Sequence, residues 1–140
     1  MVLLTFAVVA ARYLFHSGSI ATQELVTYLH GTVFMLGIAY TLKEKGHVRV
    51  DVLYENFSEK KKAIVEIFGT ILFLIPISIV ILLVSIDYVQ FAWSVREASA
   101  DPGGLQGVFL LKTLIPIMAV LLGLQGLSES LKAIIRFKSA

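Results

Sequence analysis

From Ile67 to Ile86 the chain runs for 20 residues without a charge. As a helix rising about 1.5 Å per residue, such a run crosses the roughly 30 Å hydrocarbon core of a bilayer. Upstream of Lys60-Lys61-Lys62 lies a charged hinge, Lys43-Glu44-Lys45-Gly46-His47-Val48-Arg49-Val50-Asp51, and before it a second nearly charge-free stretch, Leu25–Leu42. Two apolar spans joined by a basic hinge put that hinge in water or among lipid headgroups. The pattern is that of an integral membrane protein.

Composition agrees: 57% of the 140 residues are apolar and 16% charged, with a mean hydropathy of +0.84, whereas a soluble chain carries about a quarter charged residues. The absence of cysteine rules out disulfides, thiolate metal sites and cysteine nucleophiles. A net charge of +2, its cations clustered beside apolar spans, describes membrane topology and argues against nucleic-acid binding.

The expected fold is all-α and integral to the membrane, a single domain over 1–140 with helices at about 2–15, 22–42, 59–100 and 108–136. Val2–Ala11 is too short for a full span. It reads either as a signal-peptide core or as the outer half of a first transmembrane helix that begins outside this chain. No Lys or Arg precedes it and no small-x-small cleavage site follows, which favours the truncated helix. Arg12 and Tyr13 then anchor its end at the interface. The second helix opens near Ser19–Gln23 with Glu24 in its first turn, where the helix dipole favours an acid. Gly31 and Gly37 allow close approach to a neighbour. Val50, Leu53, Tyr54 and Phe57, at i, i+3, i+4 and i+7, predict a short interfacial helix in the hinge.

The third helix, capped by Ser58, meets no firm stop until Asp101-Pro102-Gly103-Gly104. At about 60 Å it outruns one membrane thickness and must tilt, project or break, with Pro76 permitting a kink. Asp87, Gln90, Ser94 and Glu97 form a polar stripe beyond the span, with Tyr88 and Trp93 at interface depth. Six Lys and Arg in the hinge and three near the C-terminus face three elsewhere (Arg12, Arg96, Lys112). That imbalance places hinge 43–62 and the C-terminus in the cytoplasm.

Ionisable groups inside the membrane are where such proteins show function, and only His30 titrates between Leu25 and Leu42. It reads as a haem ligand, a proton relay or a hydrogen-bonded interhelical residue. With His16 and His47 in opposite aqueous loops, no second ligand lies at its depth, which favours the last. No cofactor is implied. His47, Arg49 and Asp51 belong either to a solvated loop or to a set that pairs internally or with a partner's loop. Glu24 and Glu97 read as capping and solvated groups or as docking contacts. Lys112 snorkels, and Lys60–Lys62 set topology and touch lipid phosphates.

Several motifs recur in a recognisable order. They are Arg12-Tyr13 ending the first helix, Glu24 opening the second, Leu36-Gly37-x-Ala39-Tyr40, His47-Val48-Arg49-Val50-Asp51, Trp93-Ser94-x-Arg96-Glu97-x-Ser99, Gly103-Gly104-Leu105, Leu111-Lys112-x-Leu114-Ile115-Pro116 and Leu124-Gln125-Gly126-Leu127. Together they resemble the small membrane subunit (DctQ type) of tripartite ATP-independent periplasmic (TRAP) transporters. Family members have four transmembrane helices, of which this chain supplies part of the first, and Gln106 stands where proline is expected. The resemblance implies a non-enzymatic scaffold in the bacterial inner membrane. It would brace a large sodium-coupled subunit during uptake of an organic acid, of the 2-oxo or aromatic carboxylate type, delivered by a periplasmic solute-binding protein. It assigns Gly37, His47, Arg49 and Asp51 to the large-subunit interface. Glu24, Arg96, Glu97 and Asp101 fall to the docking face for the binding protein; Arg12, Tyr13, Trp93 and Lys112 read as interfacial anchors from their residue types and positions. Competing readings are a haem-binding membrane anchor of a respiratory oxidoreductase and a small stand-alone exporter.

Overall fold

The computed structural model describes residues 1–16, 18–44, 46 and 57–139. The expected hinge helix, together with His47, Arg49 and Asp51, lies outside the described residues. The elements in order are α1 (Val2–Leu14), α2 (Ile20–Lys43), α3 (Glu59–Gly69), a π-helical turn (Thr70–Leu74), α4 (Ile75–Ser94) and α5 (Val108–Ser139). Among the described residues three helices, α2, the continuous rod from α3 through α4, and α5, are long and apolar enough to cross a membrane. At 13 residues, α1 covers only about 20 Å.

The helices form a row. The α3–α4 rod packs along α5, α2 packs on α5 as well, and α1 packs on α2; among the described residues neither α1 nor α2 packs to any extent against the rod. Each helix therefore keeps much of its surface uncovered, and the interior is inverted relative to a soluble protein. Its buried residues are small: Ala63, Ser78, Ser85 and Ala92 on the rod, Ala119, Ser130 and Ala133 on α5. The large apolar side chains point outward, with Val84 71% and Leu124 60% exposed. In lipid, association comes from close backbone packing between small residues and not from expulsion of water, so this inversion is what a bilayer selects.

The small residues are spaced as a seam. On α5, Ala119, Gly126 and Ala133 recur every seven residues. On the rod, Ala63 and Thr70 keep the same interval, as do Ser78, Ser85 and Ala92, but from Thr70 to Ser78 the step is eight. In an uninterrupted α-helix one surplus residue rotates the seam by about 100° and carries it off the partner. The π turn at Thr70–Leu74 absorbs that residue, the Ile75 amide bonding five residues back to the Thr70 carbonyl. It also lies directly before Pro76, which has no N–H for the Leu72 carbonyl. The kink that Pro76 permits is thus a widened turn that keeps the rod continuous. Here Leu74 and Thr70 press against Gly126, where an added Cβ would collide with Leu74.

Three hydroxyls of the rod bond within their own helix. Ser78 Oγ donates to the Leu74 carbonyl at 2.8 Å, Ser85 Oγ to that of Leu82 at 3.0 Å, and Thr70 Oγ1 to that of Glu66 at 2.9 Å.

Two expectations are corrected. The third helix ends at Ser94, not near Ala100, because the chain turns through a Schellman motif: Arg96 N–H bonds to the Trp93 carbonyl at 3.2 Å and Glu97 N–H to that of Ala92 at 2.9 Å. Arg96 takes the left-handed conformation (φ 46°) usually given to glycine, so sequence offered no stop signal. His30 is not packed between helices of this chain; it sits on an exposed face of α2.

The inverted interior makes a prediction. Ser85→Leu overpacks the seam and costs about 1–3 kcal/mol, whereas Val84→Leu, one residue away on the exposed face, changes little. Thermal unfolding of the purified protein in detergent separates the two outcomes.

Candidate functional site

Polar side chains gather where α2 begins, α4 ends and α5 begins, around the connecting segment 95–107. Ser19 caps α2, its Oγ accepting from Thr22 N–H at 3.4 Å. The helix thus starts at Ile20, which puts Glu24 beyond its first turn and frees the carboxylate from helix capping. It reaches across the row instead. Ser99 Oγ donates to Glu24 Oε1, and the Leu105 amide donates to Glu24 Oε2 at 2.6 Å. One carboxylate thereby ties α2 to both arms of a loop that lies 75 to 81 residues away in sequence.

The loop is closed by its own turns. The Asp101 carbonyl accepts from Gly104 N–H at 3.0 Å. With Pro102 second and Gly103 third at φ 84°, this is a type II turn, which requires a positive φ at its third position. The Ser99 amide donates to the Leu105 carbonyl at 3.0 Å, and Asp101 N–H to Ser99 Oγ at 3.1 Å. Gly104 is held to glycine for a different reason. A Cβ there would fall within contact distance of Ser99 Cβ and Oγ and 2.8 Å from Glu24 Oε1.

A second tie joins the loop to α5. Lys112 Nζ donates to both Glu97 oxygens, at 2.7 and 2.5 Å, and lies 3.9 Å from the centre of the Tyr88 ring. This is a two-pronged ion pair with cation–π support. Nearby, Trp93 Nε1 donates to Thr113 Oγ1 at 2.9 Å, Thr113 Oγ1 donates to the Phe109 carbonyl at 2.7 Å, and Trp93 meets Phe109 edge-on at 4.7 Å. Trp93, expected as a lipid anchor, also bridges α4 to α5. Tyr28, one turn beyond Glu24, carries a buried hydroxyl with no hydrogen-bond partner among the described residues.

Of the residues expected to dock a partner, the structure splits the set. Glu24 and Glu97 are committed to internal contacts, while Arg96 and Asp101 are exposed on the loop. Sequence alone gives Ser99 and Thr113 no role, and places Gly104 only within the loop expected at the docking face. Ser99 and Gly104 lie inside the motifs quoted above, but only the fold shows which carboxylate they meet. Arg12 and Tyr13 are exposed at the end of α1, and Gly37 has open space above it on α2. Among the described residues no three histidine, aspartate or glutamate side chains converge closely enough to hold a metal ion.

Three long apolar helices with their ion pairs confined to the ends define a multi-helix membrane protein. The family described as "Tripartite ATP-independent periplasmic transporters, DctQ component" matches residues 1–136, and the chain belongs to it. It is thus a small membrane subunit of a TRAP transporter, a transporter component and not an enzyme, in a family that works with a large membrane subunit and a periplasmic binding protein. This sets aside the reading as an oxidoreductase anchor. Comparison of the chain with curated proteins and with solved structures finds no match.

The two ties generate a test of internal wiring. Gly104→Ala displaces Ser99 and costs about 1–3 kcal/mol of stability. Glu97→Gln leaves the Lys112 ammonium without its carboxylate, so Glu97→Gln with Lys112→Gln is less destabilised than the sum of the single variants. A double-mutant cycle on thermal unfolding measures that coupling.

Proposed function

We propose that the chain is the stationary brace of its transporter. Its row of helices supports the large subunit, which carries an organic acid with sodium, while loop 95–107 receives the periplasmic binding protein. The setting is the bacterial inner membrane, with the Lys60–Lys62 end and the C-terminus cytoplasmic, in accord with the excess of Lys and Arg there. The resemblance in residues 97–107 favours a small 2-oxo or aromatic carboxylate as cargo.

The observation that carries the proposal is the distribution of side chains. Charge is absent along the rod from Ile67 to Ile86, ion pairs sit at both ends, small residues lock the helices together, and large apolar residues cover the outside. Among the described residues such a row shows no charged path through it, yet it offers broad faces to another membrane protein. One of these faces is on α2, where His30, Phe34 and Gly37 recur at i, i+4 and i+7. An imidazole at mid-span facing hydrocarbon is costly, and intramembrane histidines normally face protein. We assign this face, including Gly37, to the large subunit. At the other end, Glu24 and Glu97 hold the loop in shape while Arg96 and Asp101 meet the binding protein.

Nothing lies within 4 Å of a Cβ at Gly37, so Gly37→Trp leaves the isolated chain folded. It is expected to elute like the wild type yet lose co-purification with the large subunit and abolish uptake. Co-purification at the wild-type level would move the interface elsewhere. Arg96→Gly relieves the left-handed arginine and raises stability by about 1 kcal/mol. Combined with Asp101→Ala it slows association with the binding protein several-fold at low salt, an effect that shrinks as salt rises. Surface plasmon resonance on the reconstituted complex reads both rates.

A further inference from the structure

At the end of the rod opposite the loop, three cations are neutralised within the protein. Lys62 Nζ lies 3.0 Å from Glu59 Oε1, Lys132 Nζ 2.7 Å from Glu129 Oε1, and Arg136 Nη2 2.7 Å from Glu66 Oε2. Lys60 and Lys61, on the first turn of α3, are exposed and pair with no described carboxylate. Ser58, which caps α3, makes no side-chain hydrogen bond to the first-turn amides. Among the described residues of the rod, Lys60 and Lys61 are therefore the cations left without a carboxylate; Lys138, near the end of α5, is exposed and likewise meets none.

Directly along the helix from Lys60 and Lys61 runs a groove of about 230 Å³, lined by Ile64, Ile67, Phe68, Ile71 and Leu72. Lys60, Ile64, Ile67, Phe68 and Ile71 fall at i, i+4, i+7, i+8 and i+11, so they share one face, with Lys61 flanking its head. That face is turned away from the seam, whose first residue, Ala63, is fully buried. The groove ends in the π turn, where the looser winding spreads Ile71 and Leu72 from Phe68. From Lys60 to Ile71 the helix rises about 16 Å, roughly half the hydrocarbon thickness.

We propose that this face is a binding site for one anionic phospholipid, its phosphate held by Lys60 and Lys61 and one acyl chain lying in the groove. The charge fits a phosphate and the apolar channel fits a chain attached to it. A free anion would use only the lysines, and a protein partner would leave the two ammonium groups in need of its own acids. The headgroup end of such a site coincides with the membrane boundary that the uncharged run from Ile67 defines, so a bound lipid fixes the depth of the rod in the bilayer.

Native mass spectrometry of the full chain in mild detergent, with any membrane subunit that co-purifies, tests the site. The protein is titrated with phosphatidylglycerol, phosphatidylcholine or inorganic phosphate. Phosphatidylglycerol adducts should exceed phosphatidylcholine adducts by on the order of tenfold. Lys60→Gln with Lys61→Gln should erase the preference, and Lys132→Gln should keep it. Ile71→Trp, which fills the groove from an exposed position, should lower adducts of both lipids without changing elution. Equal binding of the two lipids by the wild type, or a preference that survives loss of both lysines, overturns the site. Displacement of phosphatidylglycerol by millimolar inorganic phosphate overturns the lipid assignment in favour of a free anion. Loss of a co-purifying subunit from the double variant, with the lipid preference intact, overturns it in favour of a protein partner.

Discussion

The close approach of the rod and α5 is the constraint on which the rest depends. It is made by alanine, serine and glycine, which bury little surface but let two backbones run together over the thickness of a membrane. The approach holds only while the seam stays in phase. The π turn at Thr70–Leu74 supplies the phase correction, and Gly126 provides the gap into which that turn fits. The antiparallel pairing then brings Glu66 to Arg136 at one end and Trp93 to Thr113 at the other. A row of helices built this way is held by geometry along its length and by charge and hydrogen bonds at its two ends.

Those ends do different things. At the loop end, carboxylates are spent on internal order: Glu24 closes segment 99–105 onto α2, and Glu97 closes it onto α5 through Lys112. What remains exposed is a turn of fixed shape bearing Arg96 and Asp101. At the opposite end the arrangement is reversed. Among the described residues there, Lys62, Lys132 and Arg136 find acids, and Lys60 and Lys61 stand above an apolar channel.

How much of this was legible beforehand depends on the range of the signal. The long helices, their membrane character and the family could be read from uncharged runs and ordered motifs, because both are patterns along the chain. The end of α4 could not, since Arg96 occupies a position where glycine would have announced it. The π turn was equally hidden. Its cause is the phase of two seams relative to each other, and Pro76 alone suggested a kink in place of a widened turn. Glu24 looked like a cap because it stands near a helix start, and its true partners, Ser99 and the Leu105 amide, are distant in sequence. Burial was the other blind point. His30 looked interhelical by composition, yet a row of helices has too little interior to take it in.

A brace that does not itself move is the central physical claim, and the chain's lack of cysteine allows a clean test. A Cβ at Gly123 would lie 3.6 Å from Ser78 Cβ, within the roughly 3.5–4.5 Å that a disulfide spans. Substrate uptake by the reconstituted transporter carrying Ser78→Cys and Gly123→Cys should be the same with the bond oxidised, rod locked to α5, as with it reduced. Uptake that stops on oxidation and returns on reduction would show that these helices part during the cycle, and would contradict the account.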